Sequence, residues 1–298
     1  MDCIDLRRDY RRTILIVGSG RSGTTWLSNL VNYKNEYRDV FEPFHPRHVP
    51  LAQSLPYNPY LRPGQPHASL RALTDILLSG AFQNGWTNRN NRRRVATRRI
   101  VKDVRVHHFL KWLAVEFPHL PIVFVLRHPL AVIESRRALG WHAPLDIFLQ
   151  RADLVQDHLA PFVPAIERAA TLAEQSLERS MFFWCIENFV PLRQFRAGEM
   201  HVAFYENFIT EPEAETKRLF QFLNKTFEPR ALRALETPSS QTRADSSVLQ
   251  RDNPLERWRR AFSAAEIASA LEILELFRLD RIYTDALTPH ATGADVFA

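Results

Sequence analysis

The chain has 298 residues, of which 45% are hydrophobic and 24% charged, the balance of an ordinary soluble globular protein. Its formal net charge of +6 favours an anionic ligand or partner: a nucleotide, an acidic glycan, a membrane surface or a nucleic acid. The two cysteines, Cys3 and Cys185, form neither a metal-binding spacing nor a disulfide framework, which fits a reducing compartment.

The first 13 residues (MDCIDLRRDYRRT) contain basic side chains but lack the apolar centre of a signal peptide. No apolar run approaches the ~20 residues that a membrane span needs. We therefore expect a cytoplasmic protein with no stable membrane insertion. Because no linker divides the chain, the sequence predicts a single domain over residues 1–298.

Predicted strands and helices alternate along the chain. Short apolar runs predict buried strands over residues 13–18 (TILIVG), 99–103 (RIVKD), 121–126 (PIVFVL) and 200–205 (MHVAFY). Helical spacing predicts helices over residues 24–33, 69–82, 107–117, 212–223 and 263–277, and a mostly helical segment over 142–179. This alternation predicts an α/β fold in three layers, a central parallel sheet flanked by helices as in P-loop NTPases.

A glycine-rich loop, residues 18–26 (GSGRSGTTW), connects the first strand to the first helix. Small residues let backbone N–H groups converge on an anion, and the helix N-terminus adds partial positive charge. The three glycines match the G-x-G-x-x-G pattern of dinucleotide-binding proteins, with Glu42 as a downstream acid. The spacing of Gly18 and Gly23 also matches a Walker A loop, although Thr24 replaces the Walker lysine.

Residues 21–26 (RSGTTW) resemble the signature of the PAPS-dependent sulfotransferases. The chain as a whole resembles the glycan and tyrosyl-protein members more closely than the cytosolic small-molecule members. The resemblance implies that the backbone of residues 21–25 and the hydroxyls of Thr24 and Thr25 hold the 5′-phosphosulfate of PAPS (3′-phosphoadenylyl sulfate). It also implies that Arg21 contacts the oxygen that bridges phosphate and sulfate. The full donor-binding set implied by the family motifs is Arg21, Ser22, Gly23, Thr24, Thr25, Trp26, Arg127, Ser135, Tyr205 and Arg243.

A second segment, residues 122–137 (IVFVLRHPLAVIESRR), is similar to the 3′-phosphate motif of that family. Arg127 leaves the carboxyl end of a predicted strand, where ligands bind in α/β folds, and Ser135 lies about two turns along the next helix. Both side chains can therefore face one pocket, where arginine offers a bidentate fork to phosphate. This segment departs from the family's motif at His128, where many members carry aspartate.

Two weaker similarities lie further along the chain. Residues 202–206 (VAFYE) resemble the YE element of the family, which implies that Tyr205 packs near the adenine; a buried core tyrosine is the alternative. Residues 243–258 resemble a C-terminal segment that closes over the nucleotide in glycan and tyrosyl-protein members, which makes Arg243 a donor-site candidate.

Sulfuryl transfer is an in-line displacement in which charge gathers on the leaving oxygen, and in principle it requires no metal. Arg21 can stabilise that charge, while a base removes the proton of a hydroxyl acceptor. The histidine base of the small-molecule members is absent, since only the lysine of their K-x-H segment remains, as Lys102. Glu42 resembles the catalytic glutamate of tyrosyl-protein members and is the predicted base, with His45 in reserve. A structural salt bridge from Glu42 to Arg21 or Lys102 is the alternative.

The favoured acceptor is a hydroxyl on a glycan or glycolipid, with a small natural-product alcohol or a protein tyrosine as the alternatives. Residues 142–180 are a candidate helical cap over the acceptor site. A P-loop nucleotide kinase is the first alternative; it requires a Walker lysine and an aspartate at a strand end for magnesium, which Asp103 meets only loosely. A dinucleotide oxidoreductase requires a clear strand before Glu42, where residues 36–41 (EYRDVF) predict a poor one.

A non-catalytic, basic nucleotide-binding protein is the remaining alternative. It explains the basic pI of about 9.6 but neither Glu42 nor the Arg127 and Ser135 pair. Much of the basic excess lies in residues 89–99 (RNNRRRVATRR). We expect that stretch to be solvated, or to form an anion-attracting rim. Aromatic residues do not interleave with its arginines, so no nucleic-acid partner is expected.

Overall fold

Five parallel strands form the centre of the protein, in a computed structural model that describes residues 3–238 and 253–297. In chain order they are β2 (Thr13–Gly18), β3 (Arg38–Phe41), β5 (Arg99–Asp103), β6 (Ile122–Leu126) and β7 (His201–Phe204). Their order across the sheet is β3-β5-β2-β6-β7. Two short strands, β1 (Ile4–Asp5) and β4 (Val95–Ala96), pair in parallel outside this sheet.

Successive side chains of β2 point to opposite faces of the sheet. Leu15 and Val17 pack into one hydrophobic cluster with Phe124 of β6, whereas Ile14 and Ile16 pack into a second cluster. The strands are apolar on both faces because both faces are covered. This confirms the predicted three-layer α/β fold.

Helices cover the two faces of the sheet unequally. The face bearing Ile14 packs against α1 (Thr24–Val31), α9 (Tyr205–Thr210) and α10 (Pro212–Phe222). The other face lies under α2 (Ala68–Leu78), α3 (Leu110–Glu116), α4 (Pro129–Arg137), α5 (Asp146–Leu149), α6 (Ala152–Leu154), α7 (Val163–Ala170), α8 (Leu177–Gln194), α11 (Arg257–Ala261) and α12 (Ala264–Leu276). Within the described ranges 3–238 and 253–297, no helix combines the length and apolarity of a membrane span.

The chain leaves β2 towards one side of the sheet, to β3 and β5, and leaves β6 towards the other side, to β7. The loops that follow β2 and β6 therefore diverge, and a crevice opens between the carboxyl ends of these neighbouring strands. Ligands of open α/β sheets bind at such a switch point. The glycine-rich loop and Arg127 both emerge there.

The prediction that residues 36–41 are a poor strand is wrong, since Arg38–Phe41 forms the buried strand β3. The Arg38 guanidinium is fully buried, donates hydrogen bonds to the carbonyls of Gly80 (2.7 Å) and Phe82 (3.0 Å), and lies 3.7 Å from the Asp5 carboxylate. A charged residue thus occupies a buried position of this edge strand because distant partners satisfy its charge.

The basic stretch of residues 89–99 is solvated only in part. Arg92 and Arg94 are exposed, as expected, but Arg99 belongs to β5 and is fully buried. Its guanidinium forms a 2.9 Å salt bridge with Asp5. The expectation of a solvated stretch is therefore wrong at its last residue.

Several element boundaries differ from the prediction. The helix predicted over residues 69–82 ends at Leu78, and the one predicted over 107–117 starts with a 3-10 turn, His107–Phe109, before α3. The segment 142–179 is divided into short helices, with a π-helical turn at Val155–Leu159, before α8 begins. The single-domain organisation over residues 1–298 stays a prediction.

Candidate active site

Close backbone packing sets the shape of the glycine-rich loop between β2 and α1. A Cβ atom on Gly18 would lie 2.5 Å from the carbonyl oxygen of Val125, so only glycine allows β2 this close to β6. Gly23 has a φ of +97°, in the left-handed region, and a Cβ atom there would lie 2.7 Å from the Tyr205 ring. Both glycines are therefore required by geometry, and the loop ends where α1 begins at Thr24.

The loop has the features of an anion cradle. The first turn of α1 has no side-chain cap, so its N–H groups lack a side-chain acceptor. The Ser22 hydroxyl is buried and has no hydrogen-bond partner among residues 3–238 and 253–297, and Thr24 and Thr25 are buried beside it. A buried unsatisfied hydroxyl next to a helix N-terminus fits an oxyanion ligand.

Polar side chains hold the loop from behind. The Ser19 hydroxyl donates to the Glu187 carboxylate (2.9 Å) and accepts from the Asn188 amide (3.1 Å). Arg136 donates to the carbonyl of Gly20 (3.0 Å) and pairs with Glu187 at 2.8 Å. None of these supports was predicted; the available signal was two polar residues, Glu187 and Asn188, inside the apolar run of residues 181–192.

The second predicted motif, residues 122–137, contacts the glycine-rich loop. An Arg127 N–H donates to the carbonyl oxygen of Arg21 (3.1 Å), and its guanidinium lies 4.3 Å from the centre of the Tyr205 ring. The Arg127 Nε is buried and has no partner in the part of the chain that the structure describes. Arg21 Nε donates to the Ser135 hydroxyl at 3.0 Å. The structure therefore brings Arg21, Arg127, Ser135 and Tyr205 together at one point of the crevice.

Trp26 packs against Tyr205, one of these four residues. Its indole N–H donates to the carbonyl of Leu235 (3.1 Å), and its ring centre lies 5.1 Å from that of Tyr205. Trp26 and Tyr205 are both nearly buried, with 8% and 7% of their surface exposed. Arg243, the last candidate of the donor set, lies outside the described residues.

Glu42, at the carboxyl end of β3, is the centre of a buried ion cluster. Its Oε1 lies 2.6 Å from the Lys102 ammonium, and its Oε2 lies 2.6 Å from the Arg105 guanidinium. Burial alone would raise the pKa of Glu42, but the two cations outweigh it and lower the pKa to about 2. Glu42 is therefore ionised at neutral pH. Lys102 was one of the two salt-bridge partners expected for Glu42 if it has a structural role, and the structure shows this contact. Arg105 is a second partner that the sequence did not predict.

His45 and an aromatic group border this cluster. The Trp86 indole donates to the backbone carbonyl of Glu42 (3.2 Å) and stacks on His48 with ring centres 3.9 Å apart. Burial, followed by the charges of Arg105 and His48, lowers the pKa of His45 to about 4. His45 is consequently neutral at pH 7.

Two exposed aromatic residues border the site: Trp141 lies beside the glycine-rich loop, and Tyr57 lies near charged groups of the loop support and of the Glu42 cluster. A Cβ atom on Gly20 would lie 2.7 Å from the Trp141 ring, which is 46% exposed. Burial, followed by the charge of Glu187, raises the pKa of Tyr57, and the charges of Arg105 and Glu42 also act on its phenol. The Tyr57 phenol thus sits among charged groups of both the loop support and the Glu42 cluster, although 43% of the residue is exposed.

The geometry disfavours the two alternative enzymes. Asp103, the candidate magnesium ligand of a kinase, is fully buried, and its carboxylate accepts hydrogen bonds from the backbone N–H groups of Phe44 (3.0 Å) and Arg105 (2.8 Å). In a dinucleotide fold the second strand neighbours the first, which places its acid beside the glycine loop. Here β5 lies between β2 and β3, so Glu42 is one strand removed from that position.

A glycine loop, an arginine at the neighbouring strand end and a P-loop-like strand order are typical of α/β proteins that bind phosphorylated nucleotides. The chain belongs to the sulfotransferase family, whose sequence model matches residues 13–229. The predicted class of enzyme, a sulfotransferase, is thereby confirmed. No curated protein matches the sequence significantly.

Solved structures with a similar chain path include three sulfotransferases. The sulfotransferase domain from the curacin biosynthetic pathway is 16% identical, with 93% of this chain and 98% of that chain covered and a TM-score of 0.48. The sulfotransferase domain from the Synechococcus PCC 7002 olefin synthase is 20% identical, with coverages of 93% and 96% and a TM-score of 0.48. A mouse sulfotransferase complexed with PAP is 12% identical, with coverages of 95% and 88% and a TM-score of 0.47.

Proposed function

We propose that the protein transfers a sulfuryl group from PAPS to an acceptor hydroxyl and releases adenosine 3′,5′-bisphosphate. The observation that carries the proposal is the meeting of two anion-binding groups in one crevice: the loop with its unpartnered Ser22 hydroxyl, and the pair of Arg127 and Ser135. A donor with a 5′-phosphosulfate and a 3′-phosphate needs two such groups. A nucleoside triphosphate needs only the first of them.

The residues of the crevice fit these two ends of the donor. The N–H groups of residues 22–25 and the Ser22, Thr24 and Thr25 hydroxyls would hold the 5′-phosphosulfate. Arg127, whose Nε has no partner among the described residues, and Ser135 would hold the 3′-phosphate. Tyr205 would border the adenine, and Trp26 would keep Tyr205 in place.

Bound PAPS would supply an activated sulfuryl group, so the protein has to position it, stabilise charge and accept a proton. Arg21 follows the two small residues of the loop and would stabilise the charge on the leaving oxygen. Its Nε donates to the Ser135 hydroxyl, so Arg21 also reaches the side of the crevice that we assign to the 3′-phosphate.

We assign the role of base to Glu42. Its low pKa makes it a weak base, but it is ionised at neutral pH. A hydroxyl becomes strongly acidic once its oxygen bonds to sulfur, so a weak base suffices if proton transfer is late. Lys102 and Arg105 would orient the carboxylate. His45, neutral and with a pKa of about 4, is the reserve base.

The acceptor we favour is a hydroxyl on a glycan or glycolipid. The support is the exposed aromatic surface beside the site, Trp141 and Tyr57, together with the cation Arg105. Sugars stack on exposed aromatic rings, and acidic glycans are attracted by cations. The segment 142–180, which directly follows Trp141, remains the proposed cap over this acceptor. A cytoplasmic location is part of the same proposal.

A nucleotide-binding panel tests the donor. Thermal shifts are measured with adenosine 3′,5′-bisphosphate, 5′-AMP, ATP and NAD at equal concentration. The proposal predicts the largest stabilisation with the bisphosphate, because only this ligand carries the 3′-phosphate. Stabilisation by ATP or NAD without a response to the bisphosphate would contradict it.

A further inference from the structure

The turn that presents Arg127 is docked against the C-terminal part of the chain through His128. The His128 ring is 1% exposed and stacks on Trp258 of α11, with ring centres 4.3 Å apart and planes 10° apart. Its Nε2 lies 2.9 Å from the carbonyl oxygen of Thr284, so this nitrogen carries the proton and donates. Stacking and the hydrogen bond together fix the ring in one orientation.

A buried carboxylate makes a second link between the same two parts of the chain. Glu206 accepts a hydrogen bond from the backbone N–H of His128 at 2.8 Å and another from the Tyr283 hydroxyl at 3.0 Å. Glu206 is 1% exposed and Tyr283 is fully buried. One carboxylate oxygen thus binds the Arg127 turn and the other binds the C-terminal segment. A buried hydrogen-bond network with satisfied partners therefore joins these two parts of the chain.

A third contact links the C-terminal segment to α4, the helix that follows the Arg127 turn. Arg257 of α11 pairs with Glu134 of α4 at 3.0 Å, and Glu134 directly precedes Ser135. The backbone that carries Arg127 and the helix that carries Ser135 are therefore both held by residues 257–284. By contrast, the Arg127 side chain has little support of its own beyond the Arg21 carbonyl and the Tyr205 ring.

The identity of residue 128 matters for this docking. A neutral imidazole can stack on the Trp258 indole and donate to a carbonyl at once. An aspartate, the residue that many family members carry here, would place a carboxylate against the Thr284 carbonyl and lose the stacking surface. The histidine therefore matches a tryptophan that belongs to this chain's own C-terminal segment.

We propose that His128, Glu206 and Trp258 are positioning residues that make the docked C-terminal segment set the affinity for the 3′-phosphate of the donor. The proposal rests on the proposed function, since it concerns the Arg127 and Ser135 half of that site. The 5′ half is held mainly from α8, by Glu187 and Asn188, and Glu187 also anchors Arg136 of α4 through an ion pair. Loosening the C-terminal link should consequently weaken recognition of the 3′-phosphate and leave recognition of the 5′ group intact.

The test compares two nucleotides that differ only in the 3′-phosphate. Calorimetry gives the Kd of adenosine 3′,5′-bisphosphate and of 5′-AMP for wild type, His128→Ala, Trp258→Leu and His128→Phe. The ratio of the two Kd values is independent of the fraction of folded protein. We expect His128→Ala and Trp258→Leu to lower the preference for the bisphosphate at least about tenfold, the size of one well-oriented charge-assisted hydrogen bond. His128→Phe keeps the stacking surface, so the preference should fall by less than about threefold.

Two further variants keep the test decisive. Tyr283→Phe removes only the hydroxyl that donates to Glu206, so it is a mild change that should lower the preference in the same direction. Trp112→Phe alters an equally buried tryptophan whose indole donates to Gln65, away from the crevice, and should leave the preference unchanged.

The outcomes separate the inference from the function it rests on. If wild type binds the bisphosphate no better than 5′-AMP, the proposed donor is wrong. If wild type prefers the bisphosphate and His128→Ala, Trp258→Leu and Tyr283→Phe all keep that preference, the positioning role is wrong. A parallel loss of affinity for both nucleotides would equally overturn it, because that result indicates general destabilisation.

Discussion

Replacing Glu42 by glutamine probes the centre of the proposed chemistry. The pKa of Glu42 is about 2, against an ordinary value of 4.5, a difference of 2.5 units. At ~1.4 kcal/mol per unit, the ion cluster favours the charged form by about 3 kcal/mol after the cost of burial. The glutamine keeps the volume of the side chain but cannot take up the acceptor proton. We expect kcat to fall at least ~10²-fold, the usual contribution of a general base.

The same variant has a measurable effect on stability. Because the folded pKa is lowered, the contribution of Glu42 is fully present above about pH 4.5 and is lost as pH falls towards 2. The difference in unfolding free energy between wild type and Glu42→Gln should therefore shrink by ~2 kcal/mol between pH 7 and pH 3. Urea unfolding at several pH values gives this difference.

Kinetic and binding measurements together decide whether Glu42 acts as the base. Donor affinity of Glu42→Gln should stay within about threefold of wild type, since the carboxylate contacts cations and not the phosphate loop. Glu215→Gln is a matched control, because Glu215 is also buried and paired, with Arg218 on α10. Near-normal turnover in Glu42→Gln would remove Glu42 from the role of base.

Three further changes give separate results. Gly23→Ala forces a side chain onto a φ of +97° and into the Tyr205 ring, so unfolding free energy should fall by at least ~1 kcal/mol and bisphosphate affinity should drop; an unchanged urea midpoint would contradict the loop geometry. Trp141→Ala should raise the acceptor KM by about threefold or more while donor KM stays constant, and an effect on donor KM alone would move Trp141 out of the acceptor site. His45→Ala should change kcat by less than about threefold, whereas a ~10²-fold loss would make His45 the base.

The local features of the donor site could be predicted from the sequence. The run TILIVG ends in glycine and is followed by two more glycines, so strand, loop and helix follow from residue types alone. The pair of Arg127 and Ser135 is likewise local, because a strand, a proline and two helical turns fix their separation.

The supports of the site could not be predicted, because they depend on residues far apart in the chain. Ser19 and Glu187 are 168 positions apart, and Arg105 reaches Glu42 from the turn after another strand. For the same reason β3 was missed: Arg38 looks like a surface residue until Gly80 and Phe82 are seen to accept its hydrogen bonds.

Transfer of labelled sulfate from PAPS tests the central claim most directly. Wild type and Glu42→Gln are incubated with ³⁵S-labelled PAPS and separate panels of glycans, glycolipids, phenols and small alcohols. The account predicts label on a glycan or glycolipid hydroxyl with wild type, an equal amount of adenosine 3′,5′-bisphosphate, and at least ~10²-fold less of both with Glu42→Gln. Label on phenols or small alcohols alone would contradict the acceptor class, and absence of transfer to every panel would contradict the proposed function itself.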